Sequence, residues 1–334
     1  MKGKDTQSSV ATQDTDKKYM LRALQLARKG HLTVSPNPMV GAVVVARGRI
    51  IGEGYHIHPG EGHAEVNAIN SLKAEDLCLL SESTIYVTLE PCAHYGRTPP
   101  CAELIIRRGI KRCVVGCEDP FAQVHGRGIQ MLREAGVEVC VGVLEEECRW
   151  LNRKFITFHQ KHRPYITLKW ARSSDGFIDR VRSDGAASRL SSTATQMHVH
   201  RQRAEHEAIL VGHTTWRLDH PRLDLRCWFG KAPLRIVLGH TQDKEMPGDV
   251  HCFDTIDAML SALYQCDVQS LLVEGGRQTL QSFINRGLWD EAWEECATQS
   301  LSSGIQAPKM FCEPSETKII WSTRFNHWIA PRKS

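Results

Sequence analysis

The chain has 334 residues with 12 cysteines, 16 histidines and a formal net charge of +4 at pH 7, a length that suits two domains with separate cores. The charge is mild and spread along the chain, which speaks against a nucleic-acid surface and leaves room for a local basic pocket that takes a phosphorylated small molecule. No apolar run approaches the roughly 18 residues of a membrane span and the polar start has no signal-peptide core, so a cytoplasmic protein with reduced thiols and no membrane partner is expected.

Residues 1–16 are polar and predicted to be disordered. A first folded domain is then expected over 17–143. Apolar residues at helical spacing from Lys18 to Ala27 predict a helix that ends near Gly30. Two prolines bracket Asn37 in Ser35-Pro36-Asn37-Pro38 and fix an extended turn. Ala42–Ala46 and Ile50–Tyr55 flank Arg47-Gly48 and read as a hairpin. The loop from His56 to Gly62 leads to His63, Glu65 and a short helix. His56 and His58 are rival metal ligands, but on a glycine-rich loop they are expected to be solvated or to face substrate.

Ser83–Leu89 alternates and is rich in β-branched residues, so it reads as a strand delivering Cys92 at its C-terminal end. Thr98-Pro99-Pro100 before Leu104-Ile105-Ile106 marks a helix start with Thr98 as N-cap, which sets Cys101 at a positive helix end that favours its thiolate. One imidazole and two thiolates hold zinc with a fourth position open for water, and a nearby carboxylate that is not a ligand can move that water's proton. His63, Cys92 and Cys101 are the candidate ligands and Glu65 the candidate proton shuttle, the His-x-Glu signature of zinc deaminases. Taken singly, any one of these cysteines or histidines is better read as buried packing; the four together are not.

Arg112–Cys117 is a further strand, with Cys113 and Cys117 expected on one face as packing residues. A helix from Gly126 to Ala135 and a strand over 137–141 complete a βαβ-type layer. Residues 144–164 read as a connecting helix and linker, and 165–334 as a second domain. There, strands at 165–170, 208–212, 233–239 and 270–274 alternate with helices near 193–207, 255–264 and 277–286, which implies a largely parallel sheet. Val273-Glu274-Gly275-Gly276-Arg277 is a strand-to-helix turn suited to a phosphate, though alone it is more often a tight turn.

Zinc deaminases of nucleosides and tRNA usually set two residues between the cysteines, whereas eight stand between Cys92 and Cys101. This longer form, closing in Gly96-Arg97-Thr98-Pro99-Pro100-Cys101, resembles the bifunctional riboflavin-biosynthesis deaminase/reductase family. Further along, Leu168-Lys169, Ser174-Asp175-Gly176, Arg203-Ala204 and Asp219-His220-Pro221 look like its reductase half. The resemblance covers nearly the whole chain. It implies an α/β protein with an N-terminal cytidine-deaminase-like zinc domain and a C-terminal dihydrofolate-reductase-like domain that uses NADPH, acting on a phosphorylated pyrimidine as a homo-oligomer. Carried over by position, Asn37 meets the pyrimidine; Ala171, Thr215, Asp219 and Gly276 meet the nicotinamide cofactor; Arg203, Leu223, Arg226 and Glu274 meet the substrate. From the sequence alone Arg203, beside Arg201 and Glu205, reads better as a solvated helix face.

Several positions depart from the family pattern: His220 for Asp or Asn, Asp224-Leu225 for Thr-Val, Gly239 for Asp, a shortened stretch before Ser270, and the polar Glu294-Glu295-Cys296 in an expected half-apolar strand. They leave room for a deaminase with a weakened reductase. The zinc motif by itself is also compatible with a nucleoside or tRNA deaminase, and with a structural zinc protein whose site is closed by Cys113, Cys117 or His94.

Overall fold

The structure is a computed structural model and describes residues 4–95, 99–121, 126–182, 187–240 and 247–331, with the backbone alone over 4–11. The chain forms two compact units, Met1–Lys161 and His162–Ser334.

The first unit contains α1 (Lys4–Ala27), β1 (Gly41–Ala46), β2 (Arg49–Tyr55), α2 (Ala64–Asn70), β3 (Thr84–Leu89), α3 (Cys101–Arg107), β4 (Arg112–Cys117), α4 (Arg127–Glu134), β5 (Glu138–Val141), α5 (Glu145–Leu151) and α6 (Arg153–Lys161). Its sheet has the order β2-β1-β3-β4-β5, with β3, β4 and β5 parallel and the hairpin antiparallel. Every residue of β1 is buried, as expected of a strand covered on both faces. Its alternate side chains serve two cores: Ala42, Val44 and Ala46 join Ala68, Ala102, Ile105 and Leu132 from α2, α3 and α4, while Val43 and Val45 join Tyr19, Met20, Ala23 and Leu24 from α1. Helix α2 lies so close to β2 that a Cβ at Gly54 would stand 2.2 Å from the Ala68 amide nitrogen. Only glycine fits there.

Four expectations for this unit need correction. Helix α1 runs on from Lys4 through the segment expected to be disordered to residue 16, and of that segment only residues 1–3 lie outside the described ones. The polar composition hid it, and a tertiary contact ties the helix down at its middle: Asp16, 3% exposed, accepts from Tyr86 Oη at 2.9 Å and from both terminal nitrogens of Arg112 at 2.8 Å. The connecting helix is two helices, broken at Asn152, whose side chain bonds the backbone of Met39 at 2.8 and 2.9 Å. Cys113 and Cys117 are buried but pack in different cores; between them the chain narrows at Gly116, where a Cβ would strike Cys148 Sγ and the Thr88 carbonyl, and strict alternation fails. Thr98 lies outside the described residues, and α3 begins at Cys101 after Pro100.

In the second unit, α7 (Thr193–Ala204), α8 (His213–Asp219), α9 (Ile256–Gln265) and α10 (Arg277–Asn285) accompany β6 (Tyr165–Arg172), β7 (Phe177–Asp179), β8 (Ala208–Gly212), β9 (Leu234–Leu238), β10 (Val250–Phe253), β11 (Ser270–Val273), β12 (Glu291–Cys296), β13 (Ile305–Gln306), β14 (Glu316–Ile320) and β15 (Thr323–Ile329). Eight strands in the order β10-β9-β8-β11-β6-β12-β15-β14 make one sheet, parallel from β10 to β12 and antiparallel over the last three. One face packs on α9 and α10 through Met259, Leu263, Leu280 and Phe283. The other holds Ile209, Val211, Trp216, Leu223, Val237 and Leu272. The stretch before Ser270 keeps strand β10 and helix α9, and residues 241–246 within it lie outside the described ones.

The polar strand β12 is stable because its carboxylates meet donors from its neighbours. Glu291 accepts from Tyr165 and Trp293 and pairs with His327; Glu294 accepts from Trp170 and Asn326 and pairs with Arg172; Glu295 accepts from Ser191. Among the described residues no helix is long and apolar enough to cross a membrane.

Replacing Asp16 with Ala leaves the Tyr86 hydroxyl without its acceptor and Arg112 with only the exposed Glu138. A loss of about 2–3 kcal/mol in urea unfolding is expected, and a loss within about 0.5 kcal/mol would return residue 16 to the class of free surface positions.

Candidate active sites

Three elements meet at the first site. His63 is the residue before α2, Cys101 the first residue of α3, and Cys92 lies three residues beyond β3. Cys92 Sγ and Cys101 Sγ stand 3.5 and 3.4 Å from His63 Nδ1, and the three donor atoms all lie within 4.8 Å of one another. Among the described residues this is the one such group of three metal-binding side chains, and neither His94, Cys113 nor Cys117 joins it. One nitrogen and two sulfurs at this spacing fit zinc, with a coordination position left for a small molecule.

The two thiols differ. Cys92 is held well below the usual thiol range, first by the Cys101 thiol that hydrogen-bonds to it and then by His63, and Cys101 is pushed well up by Cys92 and by burial. The α3 N-terminus also reaches Cys92, because the Cys101 amide donates to its Sγ at 3.3 Å. With a dication held by His63, Cys92 and Cys101, both thiols would be thiolates. His63 is raised to about 9, chiefly by its hydrogen bond with Cys92.

Glu65 sits in the first turn of α2, 3% exposed. Burial raises its carboxyl, and the nearby His63 opposes that only in part. Beside it is a contact that sequence reasoning missed. His56, expected to be solvated or to face substrate, is not solvated: it is 3% exposed with its ring centroid 5.3 Å from that of His63. Its Nδ1 bonds the Gly62 carbonyl at 3.2 Å and its Nε2 meets Asn37 Nδ2 at 2.9 Å. A carbonyl only accepts, so Nδ1 carries the proton and Nε2 accepts from Asn37; burial lowers the ring's pKa and keeps it neutral. The signal for this residue was its spacing of seven from His63, which means nothing until the loop folds back. His58 is exposed, as expected.

The second site is a cavity of about 800 Å³ beyond the carboxyl ends of β6, β8, β9 and β11, where ligands of parallel sheets bind. Ala171, Thr215, Asp219, Glu274 and Gly276 line it. Arg203 is drawn to it through Glu274, in a two-pronged pair at 3.0 and 2.7 Å with the side chains only 12% and 11% exposed. That corrects the reading of Arg203 as a solvated helix face, since α7 turns it inward onto β11. Leu223 packs in the core, and Arg226 is exposed and paired with Asp224 at 2.6 Å. The sequence also missed Arg182, which lines the cavity and pairs with both Asp179 and Asp219 at 2.5 and 2.6 Å.

Residues 13–117 match the cytidine and deoxycytidylate deaminase zinc-binding region, and residues 164–293 match the RibD C-terminal domain. The riboflavin biosynthesis protein RibD of Aquifex aeolicus is 38% identical, with 87% of this chain and 89% of that protein covered. That of Bacillus amyloliquefaciens is also 38% identical, with 82% of each covered. The chain belongs to the RibD family. The solved Thermotoga maritima diaminohydroxyphosphoribosylaminopyrimidine deaminase/5-amino-6-(5-phosphoribosylamino)uracil reductase superimposes with a TM-score of 0.84 at 34% identity, covering 96% of this chain and all of the other. An Acinetobacter baumannii RibD gives the same score and coverage at 28% identity. The two units are therefore the cytidine-deaminase-like and dihydrofolate-reductase-like domains that the sequence resemblance implied.

Two departures from the RibD pattern have conformational explanations. His220 closes α8 with φ of 40°, in the left-handed region where Asn, Asp and His are enriched, so the histidine keeps the turn. Gly239, with φ of +121°, lines the cavity in a conformation few other residues adopt.

Cys92→Ser or Cys101→Ser is expected to lower bound zinc, measured as moles of metal per chain after desalting; full occupancy in either would mean that other ligands hold it. In the second unit, burial would raise Glu274 but Arg203 outweighs it and leaves the carboxyl below its ordinary range. Its contribution to stability is thus fully present only above the unfolded value of 4.5 and is lost as pH falls through the depressed folded value. Arg203→Met is expected to cost about 3 kcal/mol at neutral pH by leaving Glu274 charged and unpaired, with part of the loss recovered in the double variant with Glu274→Gln.

Proposed function

We propose that this chain carries out two consecutive steps of riboflavin biosynthesis. The first unit hydrolytically deaminates 2,5-diamino-6-ribosylamino-4(3H)-pyrimidinone 5′-phosphate, and the second reduces the ribosyl side chain of the product to ribityl with NADPH. The observation that carries the first half is a donor set of His63, Cys92 and Cys101 with a buried carboxyl, Glu65, beside it.

Zinc held by these three residues supplies Lewis acidity that makes water nucleophilic at neutral pH. The protein's own part is proton handling and orientation. Glu65 takes a proton from the attacking water and passes it to the amino nitrogen, which leaves as ammonia; a carboxyl raised by burial holds that proton in between. Asn37, its amide fixed by neutral His56, offers a polar contact to the pyrimidine edge. The hydrogen bonds of His56 to Gly62 and to Asn37 orient that amide in advance, which is how positioning lowers a barrier.

In the second unit Arg203 and Glu274 meet the substrate and Ala171, Thr215, Asp219 and Gly276 the cofactor. NADPH supplies the two electrons that open-chain ribose needs to become ribityl. A shaped cavity supports the reading, because hydride transfer needs donor and acceptor carbons within about 3–3.5 Å in an aligned geometry. The homo-oligomeric state and cytoplasmic location expected from the sequence belong to the same proposal. None of the 12 cysteines is held in a disulfide, which suits a reducing compartment, and light scattering of the purified chain reads the oligomeric state.

Glu65→Gln is expected to keep its zinc and lose deamination by about 10²–10⁴-fold, read as ammonia release from the diaminopyrimidine phosphate. Near-normal release would sink the assignment. Supplying the deaminated intermediate directly and following NADPH oxidation tests the other half; binding without substrate-dependent oxidation would favour the weakened reductase.

A further inference from the structure

Glu90 is 4% exposed and is used by none of the chemistry above. It ends the β3 segment two residues before Cys92, and its carboxylate is wholly engaged by backbone amides. Oε2 accepts from Asp119 N at 3.2 Å and Gly126 N at 3.0 Å, and Oε1 accepts from Gly128 N at 2.9 Å and Ile129 N at 3.3 Å. Three of these amides belong to the start of α4 or the residue before it, where a helix leaves N–H groups unsatisfied and favours negative charge. The backbone of the same segment is fixed from two sides as well: Glu90 N donates to the Cys117 carbonyl at 2.9 Å and the Cys92 carbonyl accepts from Ala102 N at 3.2 Å. Between them Pro91 lies so close to α4 that a Cβ at Gly128 would stand 1.9 Å from its carbonyl oxygen.

We propose that Glu90 is a positioning residue for the metal centre: by clamping the Glu90-Pro91-Cys92 segment to the N-terminus of α4, it sets where the Cys92 thiolate stands relative to His63 and Cys101. Four donors on two oxygens leave Glu90 no capacity for a metal bond, so it acts only through Cys92. The amide of Glu90→Gln keeps the shape but turns an NH₂ towards two backbone N–H groups, which must move away. The segment then loses its anchor, and a thiolate displaced by a fraction of an ångström makes a weaker, altered bond to the ion. Gly128→Ala perturbs the same contact from the opposite side and leaves the carboxylate in place.

The inference rests on the zinc reading, and the test separates the two. The full chain is loaded with cobalt(II), whose thiolate charge-transfer and d–d absorption report the donor set, and metal loss to a chelator is timed. If the unaltered chain shows no thiolate–cobalt band, the metal centre itself is wrong. If it does, Glu90→Gln and Gly128→Ala are each expected to shift the d–d bands and to speed metal loss at least tenfold at equal cobalt content. The control is Gln130→Gly, on the exposed face of α4 with its partner Glu134, which lowers the melting temperature without altering the spectrum. A Glu90→Gln chain that melts lower yet keeps the unaltered spectrum and release rate would overturn the proposal, and so would failure of both variants to fold while Gln130→Gly folds, since either assigns Glu90 to the fold alone.

Discussion

The first unit depends on holding three donor atoms within 4.8 Å when each comes from a different element. Two thiols and an imidazole this close are an unfavourable cluster to bury unless charge and hydrogen bonds compensate. The fold meets that demand with the ends of its elements: the α3 start donates an amide to Cys92, His63 pairs with it, and the segment carrying Cys92 is tied to α3 and α4. None of this would hold if α2 stood off the sheet. The close approach at Gly54 keeps His63 and Glu65 at the same depth as the strand ends.

The second unit solves a different problem, the burial of charge in a parallel sheet. Glu274 at the end of β11 costs solvation, and only the two-pronged contact from Arg203 makes it tolerable. Both prongs of the Arg203 guanidinium are spent on Glu274, which holds that carboxylate in a fixed orientation at the cavity wall. Strand β12 shows the same economy on a larger scale. Glu291, Glu294 and Glu295 would break a half-apolar strand, yet each finds donors on β6, on β15 or at Ser191. Polar residues in a strand are thus compatible with the fold when the neighbouring strands carry matching groups.

Local signals in the sequence determined many of the elements and singled out the candidate metal ligands. Strands β1, β3, β4, β6, β8, β9 and β11 and helices α7, α9 and α10 carry their own periodicity, and His63, Glu65, Cys92 and Cys101 are recognisable because metal chemistry restricts both residue type and spacing. Tertiary structure decided the rest, for reasons that no window of sequence contains. The first half of α1 is polar, and the helix is tied down at its middle by Asp16 reaching residues 70 and 96 positions away. His56 becomes a partner of Asn37 only when its loop folds back, and Cys92 Sγ meets an amide from nine residues further on only when α3 begins beside it. Arg203 looks like any solvated arginine on a helix until the sheet brings Glu274 beneath it from 71 residues away. Periodicity and ligand chemistry are local and therefore legible; charge pairing across the chain is a property of the packed molecule, and it was there that the sequence alone misled.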